Sequence, residues 1–146
     1  MSFKSNLINI VLVETSHPGN IGSVARAMKT MGLSSLSLVN PRKFPSGEAN
    51  ALSGNAGDVL ENAQIFNSIE DAIKDSTFVY ATSSRSRTIQ WPTVHAEEGA
   101  LLINGQVTSG KKVSILFGRE DRGLTNEELQ LANTHIEIPA NPEYPV

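Results

Sequence analysis

Short, unbroken apolar runs alternate along this chain with segments whose apolar residues recur at helical spacing. Residues 7–13, Leu-Ile-Asn-Ile-Val-Leu-Val, have the composition of a strand buried on both faces. Comparable runs at 36–39, 77–81, 111–117 and 135–138 predict further strands, with a small one at 64–66. After the first run, Glu-Thr-Ser-His-Pro-Gly makes a turn and Asn20 reads as the N-cap of a helix over 21–31. At 100° per residue Ile21, Val24, Ala25, Met28 and Met31 share one side of that helix. Gly22, Arg26 and Thr30 fall on the other, where a glycine one turn before an arginine leaves room for a partner. Residues 48–62 predict two short helices, because Ser53-Gly54-Asn55 interrupts the pattern. Ser68 caps a helix over 69–74 with Glu70 and Asp71 in its first turn, and another helix lies near 96–103. Thr125 and Glu128 have capping-box spacing. The longest stretch with neither period is 82–95, which holds Thr-Ser-Ser-Arg-Ser-Arg and Trp91-Pro92.

Strands alternating with helical segments predict an α/β domain with a mainly parallel sheet and helices on both faces. With 146 residues, one domain is expected. No apolar run approaches the roughly 20 residues needed to span a bilayer, and the amino terminus carries no signal-peptide pattern. The absence of cysteine excludes disulfides and thiolate metal sites and points to a cytoplasmic setting. A net charge of −3 excludes a uniformly basic surface, so any nucleic-acid contact must come from a local patch. The arginines supply one: Arg26, Arg85, Arg87, Arg119 and Arg122 lie in or beside Ser- and Gly-rich loops, and their planar forks suit anionic ligands.

Loops at the carboxyl ends of strands are where open α/β sheets bind ligands. Three such loops stand out here: 14–26, 82–87 and 118–124. Neither Gly-x-Gly-x-x-Gly nor a P-loop signature is present, which disfavours ordinary NAD and ATP sites. His17, His95 and His135 are far apart in sequence, so no metal is expected. Ser83, Ser84 and Ser86 lack a nucleophile-elbow pattern and read as a hydrogen-bonding turn. Trp91 is expected to pack against the domain rather than stack on a base.

Three ordered motifs, Asn-Ile-Gly-Ser-Val-Ala-Arg at 20–26, Ile-Leu-Phe-Gly-Arg-Glu-Asp-Arg-Gly-Leu at 115–124 and Ile-Glu-Ile-Pro-Ala at 136–140, resemble those of the SpoU branch of the SPOUT RNA methyltransferases. A narrower likeness, carried by Val-Glu-Thr-Ser-His at 13–17, Arg-Ala-Met-Lys-Thr-Met-Gly-Leu at 26–33, Arg-Ser-Arg-Thr at 85–88 and Asn-Pro-Glu-Tyr at 141–144, is to tRNA 2′-O-methyltransferases acting on nucleotide 32 of the anticodon loop. The resemblance implies a homodimer with a carboxyl-terminal trefoil knot that binds S-adenosylmethionine in the knot's loops. It implies a cofactor site lined by Thr82, Ser83, Ser84, Gly118 and Ile138, and it places Arg26, Asn20 and Glu120 at the reacting centre, with Glu120 near the chemistry or holding the motif together. Arg26, Arg85, Arg87 and Arg119 are the expected tRNA contacts, Arg26 reaching the RNA across the dimer interface. Because a guanidinium does not give up its proton in proteins, Arg26 is expected to hold a phosphate and stabilise charge on the ribose oxygen rather than act as base. In the family a Ser/Asn-containing helix follows the third motif, so residues 1–146 are expected to be a methyltransferase domain truncated at its carboxyl-terminal end: either that helix and the completion of the knot lie beyond Val146 or the cofactor site is incomplete. Two other functions fit the same loops: a nucleotide-binding α/β enzyme of another class, and a non-catalytic RNA-binding module.

Overall fold

A computed structural model describes residues 5–83 and 91–138. Seven strands form one sheet in the order β3-β2-β1-β6-β4-β7-β5, and every pairing is parallel. They are β1 (Ile8–Val13), β2 (Ser35–Val39), β3 (Gln64–Phe66), β4 (Phe78–Ser83), β5 (Thr93–His95), β6 (Val113–Phe117) and β7 (Thr134–Glu137). The helices are α1 (Pro18–Thr30), α2 (Gly47–Ser53), α3 (Gly57–Glu61), α4 (Ile69–Ile73), α5 (Ala96–Thr108) and α6 (Asn126–Leu129).

Alternation along the strands builds two cores. Ile8, Ile10 and Leu12 of β1 join Leu36 and Leu38 in a cluster with Ile21, Ala25 and Met28 of α1, Val59 of α3 and Ile103 of α5. Val11 and Val13 point the other way, into a cluster with Ile69 and Ala72 of α4 and Leu129 of α6. The expected sheet with helices on both faces is what these clusters describe. One polar residue interrupts β1: buried Asn9 accepts from Ser35 Oγ at 3.2 Å and Ser37 Oγ at 2.7 Å and donates to Ser114 Oγ and the Ala72 carbonyl at 3.1 and 3.3 Å. Both lone pairs and both amide hydrogens are thereby used, which a buried carboxamide requires.

Several boundaries differ from the pattern-based expectation for identifiable reasons. Helix α1 starts at Pro18, with His17 as N-cap in extended conformation, not at Asn20. Proline lacks the N–H that a first-turn position leaves unpaired anyway, so it opens the helix readily. Met31 is the C-cap and is 63% exposed, outside the apolar stripe. The room beside Gly22 is already taken by the chain itself. A Cβ there would lie 2.2 Å from the Ala49 carbonyl oxygen, so α2 packs directly on the α1 backbone. Helix α5 continues through Gly105 to Thr108, and β5 is an edge strand within the stretch that shows no period. The knot expected at the carboxyl end lies outside the described residues, as do Ser84, Arg85 and Arg87.

Candidate functional site

In the strand order, the connection leaving β1 runs through α1 to β2 on one side, whereas the connection leaving β6 runs through α6 to β7 on the other. Neighbouring strands whose connections diverge leave a crevice at their carboxyl ends, the usual ligand site of open α/β sheets. Here the chain fills that crevice with Glu120. Its Oε2 accepts from Ser16 Oγ at 2.9 Å and Ser16 N at 3.3 Å, and its Oε1 accepts from Asn20 Nδ2 at 3.2 Å and His17 N at 3.4 Å. The start of α1 has no side-chain cap of its own, so the carboxylate serves as the anion that a helix N-terminus attracts. Burial alone would push the Glu120 carboxyl up. Hydrogen bonds from its own backbone N–H, Ser16 and Asn20 outweigh it and bring the pKa from 4.5 to about 2. A carboxylate so stabilised is a weak proton acceptor near neutrality. Of the two roles that the resemblance allows Glu120, this geometry fits holding the motif together.

Arg119, one residue earlier, engages a separate set of partners. Its Nη1 donates to Glu128 Oε1 at 2.9 Å and the Gly123 carbonyl at 3.3 Å, and its Nη2 donates to Glu128 Oε2 at 3.0 Å and Glu14 Oε2 at 2.6 Å. All four Nη hydrogens are engaged and the side chain is only 10% exposed. Arg119 is an expected RNA contact; here both halves of its fork are engaged by protein acceptors. Glu128 is also the N3 residue of the capping box that opens α6, exchanging bonds with Thr125 as its spacing predicts. Burial pushes its carboxyl up, but hydrogen bonds from Arg119 and Thr125 prevail and leave it lowered.

Glycines complete the turn. A Cβ on Gly118 would lie 2.2 Å from the Gly123 carbonyl carbon and 2.3 Å from Leu124 N, so its backbone is approached by the loop's own return. Gly123 adopts a positive φ of 68°, and Arg119 and Gly123 exchange backbone bonds of 3.3 and 2.8 Å.

A second group of strand ends lies beyond β6. Thr82 Oγ1 donates to the Leu116 carbonyl at 3.0 Å, and Ile138 N donates to the Ser83 carbonyl at 2.8 Å, which ties the ends of β6, β4 and β7 together. Thr82, Ser83, Gly118 and Ile138 thus stand at the ends of three adjacent strands, and the Ile138 side chain is 43% exposed. Backbone groups with an open aliphatic rim suit an adenosine-like ligand, which needs few charged partners. Arg26 lies elsewhere: exposed on α1, it lines a shallow depression of about 470 Å³ with Ser23, Ala27, Thr30, Met31 and Leu52. Its guanidinium has no hydrogen bond or ion pair shown among the described residues.

Two residues central to this geometry, Glu14 and Ser16, went unassigned in the sequence; both lie in the strand-end loop that drew attention, but nothing local marks which side chain reaches across. Trp91 packs, as expected, donating from Nε1 to the Ala132 carbonyl at 2.7 Å and stacking on His135 with centroids 5.9 Å apart.

Comparison with known proteins agrees with this architecture. The chain is 52% identical over 137 residues to the tRNA (cytidine/uridine-2′-O-)-methyltransferase TrmJ of Pectobacterium atrosepticum, a match covering 94% of this chain and 56% of that protein. The chain therefore spans about half the length of the curated relatives it matches. A probable methyltransferase from Bordetella pertussis Tohama I superposes with a TM-score of 0.91 at 37% identity, over 99% of this chain and 88% of that one. At the level of fold alone, the SpoU methyltransferase AviRb from Streptomyces viridochromogenes, solved in complex with the cofactor AdoMet, gives a TM-score of 0.66 at 16% identity, over 94% of this chain and 52% of that one. The SpoU rRNA Methylase family profile matches residues 7–146, and the chain belongs to that family.

Proposed function

We propose that this chain, within its full-length protein, transfers a methyl group from S-adenosylmethionine to the ribose 2′-OH of nucleotide 32, a cytidine or uridine, in the anticodon loop of tRNA, and that it acts as a cytoplasmic homodimer. The observation that carries the reading is the redirected site. Glu120 bridges the ends of β1 and β6, and the ends of β6, β4 and β7 are joined beside it by Thr82 and Ile138. That is where the resemblance expects the methyl donor.

Thr82, Ser83, Gly118 and Ile138, with Ser84, would hold the cofactor, which when bound supplies an electrophilic methyl group on a sulfonium. The chain's own work is then placement of the ribose oxygen, and positioning of this kind is worth up to roughly 7–11 kcal/mol of a barrier. Arg26 takes the phosphate beside the acceptor ribose and stabilises charge developing on its oxygen. Arg85 and Arg87 hold flanking phosphates. Asn20 is fixed by Glu120 at the start of α1 and sets the position of that helix.

The position of Arg26 supports the homodimer. Helix α1 joins β1 to β2 and packs on α2, whereas the cofactor loops end β6, β4 and β7. At about 4.8 Å per strand, β1, which leads into α1, lies roughly 10 Å from β4 and roughly 14 Å from β7 across the sheet. A second protomer closes that gap by presenting its arginine to the cofactor loops of the first.

The test uses the full-length protein, methyl-labelled S-adenosylmethionine and unmodified tRNA. Label in a 2′-O-methyl linkage at nucleotide 32, abolished by Arg26→Ala, is the expected result. Label on a base or at another nucleotide overturns the assignment, and RNA binding with no incorporation overturns catalysis.

A further inference from the structure

We infer that Arg119 is a positioning residue for the methyl-donor site, acting as a clamp that holds the 118–124 turn in its binding shape without touching RNA or cofactor; this rests on the reading above that the turn walls that site. The clamp joins three segments. Glu14 follows β1, Gly123 closes the turn, and Glu128 sits in the first turn of α6, and all three meet one guanidinium. Arg119 and Glu120 are consecutive and bind different partners, so the turn is held twice: Arg119 to Glu14 and Glu128, Glu120 to Ser16, His17 and Asn20.

Two features mark this as more than an ordinary ion pair. Glu14 holds a left-handed φ of 52°, a conformation costing a non-glycine residue about 1 kcal/mol. A glycine would relax that strain but would leave the guanidinium without its 2.6 Å partner. Secondly, Glu128 divides its carboxylate between Arg119 and the Thr125 N–H, which it accepts at 2.7 Å. Removing the arginine would leave a carboxylate that is only 16% exposed without its cation and loosen the start of α6 along with the turn. Binding groups on a loop must be held within about 0.5 Å to function, and a displacement near 1 Å can cost about a hundredfold. Lysine cannot replace this residue, because a point ammonium offers three hydrogens and no planar fork for four acceptors on three segments.

The experiment compares the full-length wild-type protein with Arg119→Ala, Arg119→Lys and Glu14→Gln, measuring S-adenosylmethionine affinity by calorimetry, kcat and KM for tRNA, the salt dependence of tRNA binding, and Tm. Arg119→Ala is expected to weaken cofactor binding about tenfold or more while tRNA KM stays within about twofold. Arg119→Lys is expected to recover part of the Tm but not the affinity, and Glu14→Gln to lose about threefold, since Glu128 remains. A raised tRNA KM with a shallower salt slope and unchanged cofactor affinity would make Arg119 a phosphate contact and overturn the inference. A lowered Tm with affinity and kcat intact would make it merely structural and overturn it equally. If the wild-type protein itself binds no S-adenosylmethionine, the functional reading fails before the clamp is tested.

Discussion

Replacing Glu120 with glutamine keeps the volume and removes the charge, and the consequence for stability follows from the hydrogen bonds at the β1–β6 crevice. Each carboxylate oxygen accepts two donors, Ser16 N and Oγ on one and Asn20 Nδ2 and His17 N on the other. Glutamine can satisfy one pair only, because its amide NH₂ turns donor against donor at the second. The pKa of the native carboxyl, about 2 against an ordinary 4.5, corresponds to about 3 kcal/mol at roughly 1.36 kcal/mol per unit. Solvent reaches part of this loop, so about 2 kcal/mol is the expected loss at pH 7. The sign with pH is fixed by linkage. A carboxyl whose folded pKa lies below its unfolded value stabilises fully above about pH 4.5 and loses that contribution as pH falls towards about 2. Urea unfolding at pH 7, 5, 4 and 3 should therefore show the variant about 2 kcal/mol less stable at pH 7, with the gap narrowing below pH 4.5. A gap under about 0.5 kcal/mol at pH 7, or one of constant size down to pH 3, would refute the reasoning.

Other variants probe the frame around the site. Gly22→Ala puts a methyl 2.2 Å from the Ala49 carbonyl oxygen, so α1 and α2 must separate, and chemical denaturation should show a loss of about 1–3 kcal/mol or more. Gly118→Ala and Gly123→Ala should differ sharply: the first meets backbone at 2.2 Å, whereas the second meets open space and bears only the strain of its positive φ, about 1 kcal/mol. Equal losses in thermal melts of the two would contradict the packing described. Thr125→Ala removes half of the α6 capping box and should cost about 1 kcal/mol in the same assay.

Legibility in the sequence followed the range of the interactions involved. Apolar runs are local signals, so β1, β2, β3, β4, β6 and β7 all stand within two residues of their expected bounds. Side-chain caps are equally local, and Ser68 and Thr125 cap the helices that their spacing predicts. Edge strand β5, Thr-Val-His, escaped because it holds a single apolar residue within a stretch that shows no period. Helix α5 extends beyond its expected end because Gly105 lies where a Cβ would meet nothing, so its weak propensity was the only signal and packing of Val107 overrode it. The roles of Gly22, Glu14 and Arg119 were hidden for a different reason. Each depends on a segment distant in sequence, and the charge of Arg119 looks the same whether it meets a phosphate or the carboxylates of Glu14 and Glu128. Conversely, the grouping of Thr82, Ser83, Gly118 and Ile138 followed from the resemblance and from strand ends alone, and parallel register places them side by side.

The central claim is that the joined ends of β6, β4 and β7 bind the methyl donor. Calorimetric titration of the full-length protein with S-adenosylmethionine, ATP and NAD in turn, repeated with Ile138→Asp, tests it most directly. Binding of S-adenosylmethionine alone, weakened at least tenfold by the aspartate at a rim that is now aliphatic, is the predicted result. Binding of ATP or NAD in its place, or an Ile138→Asp protein with unchanged affinity, would contradict it.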